Sequence, residues 1–128
     1  MKNKTIIHEF DPVIYPVKLW VSITTDLKSL SDRFCNVGTK SDIDTSFVDN
    51  HEAATYYVQQ KEKPTYYGVL IATTAKHYLT TKLIAHEATH AADFIWKHVG
   101  EQDIGDEANA YLVGWIAECC EKIIKNKS

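Results

Sequence analysis

The sequence predicts an α+β fold: a small mixed or antiparallel sheet packed beside one long helix, with a second helix at the C-terminal end. Three patterns carry this reading. Up to Thr73, apolar residues fall in short runs rich in Ile, Val, Tyr, Phe and Trp, interrupted by Pro12, Pro16, Gly38 and Pro64, as strands and turns require. From Thr81 to Val99, Leu83, Ile84, Ala88, Ala91, Phe94 and Ile95 recur on one helical arc. From Asp106 to about Asn126, Leu112, Trp115, Ile116, Cys119 and Ile123 recur on one side of another helix.

The chain has 128 residues, the size of one domain spanning residues 1–128, and its 45% hydrophobic and 11% aromatic content supports a packed core without disulfides. A net charge of −3 gives no electrostatic case for nucleic acid or an anionic membrane as partner. No apolar run is long enough to span a bilayer. The charged start, Met1-Lys2-Asn3-Lys4, leads into no long apolar segment of the kind a secretory signal needs. Cys35, Cys119 and Cys120 are odd in number and form no C-x-x-C pair, so they read as reduced thiols of a cytoplasmic protein.

Taken in order, the elements are these. A strand is expected near Thr5–Phe10, an extended segment through Pro12–Pro16, and a strand near Val17–Thr24, where Lys18, Trp20 and Ser22 alternate with Leu19, Val21 and Ile23 as on a strand with two unlike faces. Thr25 or Asp26 caps a helix over Leu27–Phe34. Asn36–Asn50, with Gly38 and many Asp, Ser and Thr residues, reads as a loop. Ala53–Gln60 and Thr65–Thr73 form an antiparallel hairpin around a turn at Lys61–Pro64. The next helix begins between Thr74 and Thr81 and stops at Val99-Gly100, because glycine tolerates the left-handed backbone that follows a helix end. Asp103 or Asp106 caps the last helix.

The long helix carries His86-Glu87-Ala88-Thr89-His90. Residues four apart on a helix share a face, so two imidazoles at this spacing can grip one metal ion. Glu87 points roughly 100° away, towards a water beside the metal instead of the metal itself. Neutral nitrogens to hold zinc, an open position for water and a carboxylate to take its proton are the requirements of zinc hydrolysis. A third protein ligand is expected, and Glu107 in the first turn of the last helix is the candidate, on a face shared with Ala110, Tyr111, Gly114 and Glu118. Gly114 would let another chain approach closely. Asp93, on the same stripe as His86 and His90, is placed to support a histidine N–H or to pair with Lys97. His98 lies off that stripe, and His8, His51 and His77 read as surface residues.

His86 to His90 followed by Asp106-Glu107-Ala108-Asn109-Ala110-Tyr111 resembles the gluzincin group of zinc metallopeptidases, in which a glutamate on a following helix is the third ligand. The sequence departs from the metzincins at Asp93 and Trp96, where they carry glycine and histidine. The Glu-Ala-Asn run is also similar to small phage- and mobile-element-associated peptidases of the ImmA/IrrE type. Phe10-Asp11-Pro12 and Tyr111-Leu112-Val113-Gly114-Trp115 look like segments of small phage or prophage proteins. The resemblance covers roughly residues 80–115. It implies a minimal zincin-like domain of a bacterial host's cytoplasm with one zinc ion per chain on His86, His90 and Glu107, a peptide or protein substrate, and Glu87 as general base. An oxyanion donor is also needed, for which Tyr111, Tyr78 and His77 are the candidates. The strand Thr65–Thr73, if at a sheet edge beside the cleft, would bind an extended peptide by strand addition. The competing expectation is a non-catalytic phage or host-interaction protein of zincin-like fold, with or without a structural zinc. A structural site would need a fourth protein ligand, and none is evident.

Overall fold

A computed structural model describes residues 6–11, 17–37, 39–46, 48, 53–99 and 106–125, with backbone only at residues 6, 98, 99, 106 and 107. The architecture is α+β. Five strands, β1 (Ile6–Phe10), β2 (Lys18–Ile23), β3 (Phe34–Asn36), β4 (Ala53–Gln60) and β5 (Tyr67–Thr73), form a mixed sheet in the order β1-β2-β5-β4-β3. Helix α1 (Leu27–Arg33) precedes β3, and α2 (Thr81–Val99) and α3 (Asp106–Lys125) follow the sheet. No helix among the described residues is long and apolar enough to cross a membrane.

The hairpin expected between β4 and β5 forms, antiparallel from Ala53 opposite Thr73 to Gln59 opposite Tyr67. Its place in the sheet does not meet the condition for strand addition, an edge position for Thr65–Thr73. β5 is the central strand, paired with β4 on one side and, in parallel, with β2 on the other. Strand addition on β5 is therefore closed off. The run Val69-Leu70-Ile71-Ala72, buried throughout, is the unbroken apolar pattern of a strand covered on both faces. Gly68 lets the strands meet: a Cβ there would fall 1.9 Å from the Lys18 carbonyl oxygen. By contrast Gly114 is exposed and a Cβ on it would meet nothing within 4 Å, so no other segment approaches it closely among the described residues.

β2 likewise is covered on both sides, since Trp20 and Ser22 are as buried as Leu19 and Val21. Two cores result. On one face Leu19, Val21, Val69 and Ile71 pack against Ile84, Ala88, Ile95 and Ile116 of the two long helices. On the other, Trp20, Leu70 and Val58 pack with Leu30, Phe34, Ile43 and Val48.

α1 is capped by Asp26, whose Oδ1 accepts the Ser29 N–H at 3.3 Å. It ends one residue before Phe34, which takes an extended backbone (φ −129°, ψ 150°) and opens β3. The sequence puts Phe34 at the end of the helix and Asn36 at the start of a loop, so β3 is a correction. Three residues are too few to show an alternating pattern, and only the pairing of Phe34, Cys35 and Asn36 with Gln60, Gln59 and Val58 makes them a strand. The Pro12–Pro16 segment, Gly100–Gly105 with Asp103, and His51 lie outside the described residues.

Candidate metal centre on the motif helix

Thr80 starts α2. Its hydroxyl accepts the Leu83 N–H at 3.3 Å and its carbonyl the Ile84 N–H at 2.9 Å, after a 3-10 turn at Lys76–Tyr78. The helix buries Ile84, Glu87, Ala88, Ala91, Ala92, Ile95 and Trp96. The three alanines let it approach the sheet, and Phe94 stacks on Tyr57 of β4 with centroids 5.9 Å apart and planes at 10°. Trp96 Nε1 donates to Asn109 Oδ1 at 2.9 Å and ties α2 to α3.

Burying that arc turns His86 and His90 outward, and both are exposed. Their Nε2 atoms stand 3.2 Å apart, with ring centroids at 4.7 Å and planes at 82°. Tetrahedral zinc with Zn–N bonds of about 2.0–2.1 Å requires two ligand nitrogens about 3.3 Å apart. The pair thus has the nitrogen spacing that zinc asks of it. The same separation suits a hydrogen bond from one ring to the other. Among the described residues no third histidine, cysteine or carboxylate joins the pair. Glu107 lies in the first turn of α3, and its side chain lies outside the described residues.

Glu87 is brought beside the sheet. It is 4% exposed, and its Oε1 accepts a hydrogen bond from the Thr55 hydroxyl of β4. Thr55 had no signal in the sequence, because its partner is 32 residues away. Tyr111 is 74% exposed on α3, with Ala110, Gly114 and Glu118 also exposed. Asp93 is exposed and forms no ion pair with Lys97 among the described residues. His77 and Tyr78 pack on each other, centroids 4.5 Å apart. His8 is half-buried on β1 and His98 has no described side chain.

The three cysteines are free and buried. Burial pushes the Cys120 thiol up to about 12, with Cys119, Glu121 and Glu87 adding to it. Burial also pushes Cys119 up to about 11, against the pull of Lys122. Both stay protonated near neutrality. A cavity of about 590 Å³ lies on the far face of the sheet, lined by Glu9, Trp20, Arg33, Phe34 and Glu62 among others, and carries no histidine or cysteine. The chain matches no protein-family model, no curated protein and no solved structure.

Proposed function

We propose that this chain is a zinc metallopeptidase of the gluzincin type with a minimal zincin-like arrangement. The observation that carries the reading is the His86–His90 pair, with Nε2 atoms 3.2 Å apart on the exposed side of an otherwise packed helix. His86, His90 and Glu107 would hold the zinc, and their two neutral nitrogens and one carboxylate are the donors a catalytic site uses when one position stays open. When bound, zinc supplies Lewis acidity to a substrate carbonyl and acidifies water. Glu87 takes the proton of the attacking water and returns it to the leaving amide nitrogen. The exposed histidines leave a peptide free to reach this side of α2. Tyr111, exposed one turn beyond Glu107, is the candidate oxyanion donor.

The test is zinc content by elemental analysis of the purified chain beside His90→Ala and Glu107→Gln. The reading expects about one zinc per chain, lost or much reduced in both variants. Wild type that takes up no zinc after reconstitution would sink it and favour a metal-free interaction protein.

A further inference from the structure

We infer that Thr55 is a positioning residue for Glu87, fixing one carboxylate oxygen so that the other faces solvent for proton transfer; the inference rests on the function proposed above. Thr55 lies on the face of β4 that α2 covers. Its neighbours on that face are Ala53, which is too short to reach across, and Tyr57, which stacks on Phe94. Thr55 is therefore the β4 side chain that meets Glu87, and its hydroxyl donates to Oε1.

The other oxygen is in a different situation. Oε2 takes no described hydrogen bond, and no described cation pairs with Glu87. Yet the one buried side-chain polar atom without a partner among the described residues is Ser22 Oγ. The residual 4% exposure of Glu87 therefore includes Oε2. One oxygen is tied to the sheet and the other keeps a slight exposure, on the turn of helix that holds His86 and beside the Cys120 thiol.

The donor is also stiff. A β-branched residue has little χ1 freedom, and Thr55 is held by pairing with Ile71 of the central strand. Glutamate, by contrast, has several rotamers to lose. Anchoring one oxygen on a rigid strand keeps the other in one place before substrate arrives, which is what a general base needs for geometry. A merely structural hydroxyl would satisfy a buried carboxylate and affect nothing beyond stability.

The two roles separate with acetohydroxamic acid, a metal chelator whose hydroxyl proton passes to a neighbouring base on binding. Its affinity for the full-length cobalt-substituted protein is read from the visible spectrum, with metal content measured in each variant. Glu87→Gln is expected to weaken binding by about tenfold, and Thr55→Val by about three- to tenfold at unchanged metal content. Thr55→Ser should stay within about twofold of wild type, and Thr55→Val should weaken binding no further in the Glu87→Gln background. Wild-type affinity in Thr55→Val overturns the inference. So does an equal loss with and without the Glu87 carboxylate, which marks a structural effect. Should Thr55→Val not fold, a full tenfold loss in Thr55→Ser would overturn it equally, and retained affinity would support it. Wild type that binds no metal, or Glu87→Gln that binds hydroxamate like wild type, is the failure of the proposed function itself, and the role of Thr55 falls with it.

Discussion

The two faces of the sheet are covered by different means. One carries two long amphipathic helices, with the histidine pair on the outer side of α2. The other is closed by the seven-residue α1 and by Ile43 and Val48, and it leaves a cavity beside Trp20. The difference sets large buried side chains against an exposed histidine pair. The far face holds large apolar side chains at full burial, whereas the histidines are exposed and contribute little packing.

The largest effects should split along that line. His90→Ala should abolish zinc uptake while shifting the unfolding free energy by less than about 1 kcal/mol, since an exposed side chain is removed. Trp20→Ala should do the reverse. It removes a ring that is 1% exposed and packed on Phe34 at 5.0 Å, and should cost about 4 kcal/mol with zinc stoichiometry kept where the protein remains folded. Denaturant titration beside elemental analysis measures both. A variant that lost stability and zinc together on each face would break the comparison.

A smaller effect belongs to the helix side and appears in alkali. Cys119, Cys120 and Tyr57 lie there, and burial raises Tyr57 to about 12, with Tyr67 adding to it. Their ordinary values are 9.0 for the thiols and 10.0 for the phenol. Above pH 9 the unfolded chain releases protons that the folded chain keeps, so it binds fewer protons and stability falls as pH rises. This contribution is fully present below pH 9 and is lost progressively towards pH 12. Denaturant midpoints at pH 8 and pH 11 should show the fall, and Cys120→Ala should make it shallower. A midpoint that does not move would refute the assignment.

The smallest effect sharpens the far face. Asp26→Ala removes the cap of α1 and should cost about 1 kcal/mol, seen as a modest shift in the denaturant midpoint without change in zinc content.

How much of this was legible depends on the range of the interaction. The helices read well because their apolar spacing repeats over many turns: α3 runs from Asp106 to Lys125 among the described residues. β4 read correctly from Ala53 to Gln60, helped by the turn chemistry at Lys61–Pro64. β3 did not, because three residues carry no period. The candidate site divides in the same way. His86 and His90 were placed by their spacing alone, and the structure brings their nitrogens together as a helix must. Tyr111 was placed by the same wheel, but sharing a face with Glu107 says nothing about which neighbour that face meets, and it stands exposed.

By itself, then, the sequence determined the identity and extent of the long elements and the juxtaposition of two histidines, because these follow from repeats within one element of fixed geometry. Tertiary structure alone decided that β5 lies at the centre, that both faces of β2 are buried and that Glu87 meets Thr55. Those outcomes depend on which distant segments pair and in what register. The order of strands is fixed by packing two helices over one face and closing the other, which no local pattern encodes.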